Sequence, residues 1–120
     1  MKNLRNSILL IGLIAFAASC TKAPTTCVQA DTSDTTVGTD VTISSCTEKK
    51  ANGYIWEVPG NTTIASGGGA CSDNVVIRFN STGSYTVYLT SVNYLGNRGC
   101  NGTGVRTVSG SRESIVITVN

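Results

Sequence analysis

Apolar and polar residues alternate with a period of two at intervals along the chain. Val41 and Ile43 alternate with Thr42 and Ser44. Tyr54, Trp56 and Val58 alternate with Ile55 and Glu57, and Val75, Ile77 and Phe79 with Val76, Arg78 and Asn80. Tyr85, Val87 and Leu89 alternate with Thr86, Tyr88 and Thr90, and Ile115, Ile117 and Val119 with Val116 and Thr118. Successive side chains on a strand point to opposite faces, so each segment predicts a strand with one buried and one wetter face. Turn-forming residues separate them: Asn52-Gly53, Pro59-Gly60-Asn61, Gly67-Gly68-Gly69, Ser81-Thr82-Gly83 and the Gly-rich run over residues 96–110. Shorter strands near residues 27–30 and 62–65 bring the prediction to seven. No segment carries a helical stripe.

Seven short antiparallel strands in about a hundred residues predict an all-β sandwich of immunoglobulin-like type. Trp56, on the third strand, is expected to fill the centre between the sheets, with Tyr85 and Val87 beside it as core. Composition agrees: Thr, Ser, Val and Gly displace the Leu, Ala, Glu and Lys that a helical bundle needs.

The first residues set the address. Lys2 and Arg5 precede an uninterrupted apolar run over residues 8–18, too short to span a bilayer but suited to a secretory signal. The run ends Ala17-Ala18-Ser19-Cys20, which resembles the lipobox of bacterial lipoproteins. The resemblance implies cleavage before Cys20 and a lipid on its thiol. The organisation expected is a signal peptide over 1–19, a lipidated tether over 20–26 and the sandwich over 27–120. The localisation expected is the bacterial cell envelope, membrane-anchored, with the outer membrane favoured. Removing Lys2 and Arg5 from the chain's nine basic residues leaves seven against seven acidic ones. The net +2 therefore belongs to the signal, and the neutral remainder lacks the basic face that nucleic acid requires.

Five cysteines minus Cys20 leave Cys27, Cys46, Cys71 and Cys100. An even number in a small exported domain reads as two disulfides. No pair has the close spacing of a four-thiolate metal site.

Several stretches resemble the PKD-like domains of secreted bacterial surface proteins, an immunoglobulin-like family. They are Val37-Gly38-Thr39-Asp40-Val41-Thr42, Tyr54-Ile55-Trp56-Glu57-Val58-Pro59, Ile64-Ala65-Ser66-Gly67-Gly68-Gly69, Gly83-Ser84-Tyr85-Thr86-Val87 and Val92-Asn93. The acidic turn of the better-known members is replaced by Val58-Pro59-Gly60-Asn61, so no role of that acid carries over. Immunoglobulin-like strand order gathers the four cysteines at one end. Pairing the first two strands about a centre between residues 36 and 37 sets Cys27 opposite Cys46 and leaves Cys71 for Cys100. The alternative is Cys46 with Cys100 and Cys27 with Cys71. Cys20 lies seven residues before Cys27, a reach of about 23–25 Å when extended. The cysteine end, with Lys49, Lys50 and Arg98, is therefore expected to face the membrane. The opposite end, with turns at 31–38, 59–61 and 81–83, is expected to face outward.

The chain has no His, which removes every His-dependent triad and zinc site. Its acids are spread singly, without a pair placed for glycosidic chemistry. Asp31, Asp34 and Asp40 suggest calcium ligands only weakly, because no EF-hand spacing supports them. No metal and no cofactor is expected. Tyr88 and Tyr94 lie on the alternate face from Tyr85, Val87 and Leu89 and, with Asn61 at the outward end, form the expected binding surface for a sugar or peptide. The function expected is a non-enzymatic, lipid-anchored envelope module that binds protein or glycan. The alternatives are a structural accessory subunit of an envelope complex and a small exported enzyme inhibitor acting through the 96–110 loop.

Overall fold

The computed structural model describes residues 23–47, 51–95, 99–101 and 106–120, Arg106 by its backbone alone. Cys20, Lys49, Lys50 and Arg98 lie outside the described residues. Each predicted alternation is a strand. In chain order they are β1 (Val28–Ala30), β2 (Asp34–Thr35), β3 (Asp40–Ser45), β4 (Gly53–Glu57), β5 (Thr62–Gly67), β6 (Asn74–Phe79), β7 (Gly83–Leu95) and β8 (Arg106–Val119). One sheet has the order β1-β3-β6-β5 and the other β2-β8-β7-β4. With β2 taken as a crossing extension of β1, this is the strand order of an immunoglobulin sandwich.

Among the described residues the strands number eight rather than seven. The extra one, β2, falls inside the predicted turn over 31–38 and pairs parallel with the end of β8. Two residues carry no readable periodicity. Tertiary pairing makes this strand: Thr118 N donates to Ser33 O and Asn120 N to Thr35 O, both at 2.8 Å. A second difference concerns the run over 96–110. Residues 106–110 belong to β8, and 106–109 pair with the end of β7, so the Gly-rich loop is shorter than its composition suggests. Gly110 sits in a strand because the register shifts there, between Thr90 and Val92 of β7, and a bulge tolerates glycine. A Cβ at Gly110 would collide with the Pro24 carbonyl.

The core is made by the inward residues of both sheets. Val41, Ile43, Val75, Ile77, Phe79, Val87, Ile117 and Val119 form one buried cluster. Trp56 and Tyr85 do not occupy its centre. Both are half-buried and pack on it from the side, because each has a polar end that needs a partner. The Trp56 indole donates to Ser72 O at 2.9 Å. The Tyr85 ring tilts against Phe79 with centroids 4.8 Å apart, and its hydroxyl donates to Ser81 O at 2.8 Å. A Tyr near the start of the seventh strand, bonded back to the backbone just upstream, is the tyrosine corner of immunoglobulin sandwiches.

The two disulfides are Cys27–Cys46 and Cys71–Cys100, with Cα separations of 5.0 and 5.3 Å. β1 pairs with β3 through Val28↔Ser45, Gln29↔Ser44 and Ala30↔Ile43, the register expected from the sequence, and it places Cys27 opposite Cys46. The second bridge ties the β5–β6 turn to the β7–β8 connection. All four cysteines lie at one end. Pro24 and Thr26, from the expected tether, are buried at the same end. Thr26 Oγ1 accepts Ser91 N at 3.1 Å, beside the irregularity in the β7–β8 ladder. The folded domain therefore begins before Cys27. Structural disulfides suit an oxidising compartment.

Candidate binding face

The outward face of the β2-β8-β7-β4 sheet holds the most organised group of surface side chains. Strand pairing sets Glu57 of β4 opposite Tyr88 of β7, and Tyr88 opposite Ser114 of β8. Arg112 lies two residues before Ser114, hence on the same face. Its guanidinium reaches over β7 to Glu57. Nε donates to Oε2 at 2.8 Å and Nη2 to Oε1 at 2.7 Å. On the way it covers the Tyr88 ring, with its central carbon 3.6 Å from the ring centroid. A planar bidentate ion pair stacked on an aromatic face is a geometry that Arg favours and Lys cannot copy.

The pair is exposed, with side chains 53% and 42% accessible for Arg112 and Glu57. The hydrogen bond from Arg112 lowers the Glu57 pKa below the usual carboxylate range, and the reciprocal bond raises that of Arg112. Glu57 and Arg112 thus hold opposite charges and the site is neutral in sum. Beside them lies an open depression of about 220 Å³ lined by Glu57, Val58, Pro59, Thr86, Tyr88 and Arg112. Ile55 and Val116, 45% and 50% exposed, flank this region on the same face.

The expected tyrosine pair is not assembled. Tyr88 and Tyr94 share a face but stand six residues apart on β7, about 20 Å along the strand. Tyr88 lies under a guanidinium. Tyr94 lies over Gly53, where a Cβ would run into its ring, and its backbone N–H donates to Asn52 Oδ1 at 2.7 Å. Asn61 is at the end opposite the cysteines. It takes a left-handed backbone, φ 63°, and its amide donates to Ser81 Oγ at 3.0 Å. Its side chain thus fastens two turns. Elsewhere, burial first and the Asp73 carboxylate second raise the Tyr54 pKa.

The Glu57–Arg112 pair escaped the sequence reading because its partners are 55 residues apart and belong to strands that do not touch. The available signal was parity: both residues occupy outward positions of strands that flank β7. Asp31, Asp34 and Asp40 do not converge. Asp31 Oδ1 accepts Thr42 N at 3.3 Å, and Asp40 pairs with Arg78 at 2.9 Å. Among the described residues no three His, Cys, Asp or Glu side chains come together as metal ligands. No family model, no curated protein and no solved structure matches the chain.

Proposed function

We propose that the chain is a non-enzymatic module of the bacterial cell envelope, a PKD-like domain held by a lipid on Cys20, that binds a protein or glycan partner. The observation that carries the reading is the outward β8-β7-β4 face, where exposed Ile55 and Val116 flank a hydrogen-bonded, charge-balanced Glu57–Arg112–Tyr88 group. Apolar side chains around preorganised polar ones are the composition of a recognition surface. The strand order and the motifs on β3, β4, β5 and β7 support the PKD-like assignment. Burial of Pro24 and Thr26 at the cysteine end supports a tether leaving there, with the other end directed away from the membrane.

Photo-crosslinking residues placed at Ile55, Val116 and Ile64 of the full chain in cells test this reading. Ile64 lies on the other sheet. Adducts are expected from the first two positions and not the third, and Cys20→Ala should release the protein from the membrane fraction. Equal adducts at all three positions, or retention of Cys20→Ala on membranes, would overturn the corresponding part. One observation favours the accessory-subunit reading. Asn80 N donates to Asn61 O, so by antiparallel alternation Thr62 and Ile64 direct their backbone groups away from β6, to the open edge. Strand addition there would make Ile64 the strongest position for crosslinks.

A further inference from the structure

We propose that the depression beside the Glu57–Arg112 pair is a subsite for one ring of a neutral saccharide. The inference rests on the binding-module reading and names the ligand class for that face. It follows from what the lining offers and what it withholds.

A guanidinium has five N–H donors. Glu57 takes two of Arg112's, which leaves three fixed in direction by the bidentate pair and by the stacking on Tyr88. Each Glu57 oxygen keeps a free lone pair. The hydroxyls of Tyr88 and Thr86 have no hydrogen-bond partner among the described residues. Val58 and Pro59 add an apolar patch at the same depression. The lining therefore combines donors and acceptors with a small apolar patch, and its Arg112–Glu57 part is held by two hydrogen bonds before any ligand arrives. Such preorganisation reduces the ordering cost of binding.

Three ligand classes fit this lining poorly. An anion would compete with Glu57 for the guanidinium, and a cation would compete with Arg112 for the carboxylate. Either would meet a charge already neutralised by its partner, and so gains less than at an unpaired guanidinium or carboxylate. A purely apolar ligand would desolvate the free N–H and O–H groups without replacing their bonds to water. The remaining class is uncharged, carries several hydroxyls and has one C–H face. A pyranose ring has those properties. The depression, about 220 Å³, is smaller than the roughly 300–1,000 Å³ of sites for drug-sized ligands, which suits one ring rather than an enclosed oligosaccharide. Because it is open, further rings of a chain would continue over the Thr- and Ser-rich β7–β8 surface, where Ser84, Thr86, Ser114 and Thr118 lie on one face.

The test is amide-shift titration of the folded, oxidised protein with methyl glucoside, methyl galactoside, methyl mannoside and N-acetylglucosamine. Glucuronate and glucosamine serve as charged counterparts. At least one neutral probe should give saturable shifts centred on Glu57, Thr86, Tyr88 and Arg112, with Kd near about 1 mM, as expected for a shallow site. The charged counterparts should bind at least about tenfold more weakly, the factor that one lost charge-assisted hydrogen bond gives. Arg112→Ala should abolish the shifts. Thr86→Val leaves the ion pair intact, keeps the fold if Arg112→Ala does not, and should weaken binding several-fold. The proposal is overturned if no neutral probe gives saturable shifts at these residues, if the charged sugars bind as well, or if Thr86→Val binds like the parent. Crosslinks from Ile55 and Val116 to a partner protein in the absence of sugar binding would remove the saccharide assignment and leave the binding-module reading standing.

Discussion

The two ends of the sandwich are closed by different means. At one end Cys27–Cys46 and Cys71–Cys100 join four segments covalently. At the other, short turns are joined by hydrogen bonds: Tyr85 Oη to Ser81 O, Asn61 Nδ2 to Ser81 Oγ, Gly38 N to Phe79 O and Asn80 N to Asn61 O. The difference follows from what each end buries. Phe79, Tyr85 and Val119 put core side chains beside the hydrogen-bonded end. The cysteine end holds the Gly-rich turn of residues 67–69 and the connection between β7 and β8, stretches whose sequences carry few apolar side chains. Ordering such segments costs conformational entropy that few contacts offset, and a cross-link lowers that cost by restricting the unfolded chain.

The largest expected effect tests the hydrogen-bonded end. Phe79 is fully buried and carries the Tyr85 ring. Phe79→Ala should cost about 3–5 kcal/mol in urea denaturation, enough to unfold much of a marginally stable domain. A loss under about 1 kcal/mol, the scale of a surface change, would show that this end does not depend on its core.

The disulfide end comes next. Replacing Cys71 and Cys100 together by Ser removes a bridge of sequence separation 29 and should cost about 2–4 kcal/mol. Trp56 reports on it, since its indole N–H donates to Ser72 O, next to Cys71. Its fluorescence should shift in the folded double mutant, whereas loss of Cys27–Cys46 should leave it unmoved. Equal spectral changes in both mutants would mean that the bridges act through one network rather than on separate segments.

Much of this contrast is legible in the sequence, and what is not has physical causes. The strands with clean alternation, β3, β4, β6, β7 and β8, are found where the pattern puts them, because one face of each meets the opposite sheet. Cys27 opposite Cys46 is also legible, since local β1–β3 pairing fixes it. β2 is invisible because its two residues gain order only from the C-terminal strand. The start of β8 is hidden because Gly110 reads as loop, although its small size lets Pro24 approach. Trp56 is misplaced at the centre because hydrophobicity alone ignores the indole N–H, whose acceptor lies in another turn. The Glu57–Arg112 pair depends on β4, β7 and β8 lying side by side, as the immunoglobulin-like order implies, but Arg112 precedes the 115–119 alternation, so the sequence does not announce its face.

A smaller effect isolates hydrogen bonding at the end without disulfides. Tyr85→Phe keeps the ring on Phe79 and removes the bonds to Ser81. It should cost about 1 kcal/mol, the usual net value of such a bond, with the fold unchanged. An effect as large as that of Phe79→Ala would make the tyrosine corner, rather than the packed ring, the closure of that end.

The smallest expected effect lies between the two ends, where Arg112 and Glu57 join β8 to β4 across β7. The hydrogen bond from Arg112 holds the Glu57 pKa below its ordinary value. A carboxylate with a depressed folded pKa stabilises the fold at pH above its unfolded pKa, and the contribution is lost as pH falls through the folded one. The Tm gap between the protein and Glu57→Gln should therefore be greatest at neutral pH and low salt. It should narrow once the pH enters the carboxylate range and vanish below it. Both side chains are about half in solvent, so the gap stays small and salt reduces it further. A gap that persists at acid pH would assign Glu57's contribution to packing or to a neutral hydrogen bond. Comparison with Arg112→Lys sharpens this result, because Lys keeps the charge but neither the two-bond geometry nor the stacking on Tyr88. If Arg112→Lys behaves like the parent at neutral pH, simple charge attraction holds β4 to β8. If it behaves like Glu57→Gln, the planar guanidinium is what orders the outward face between the two closures.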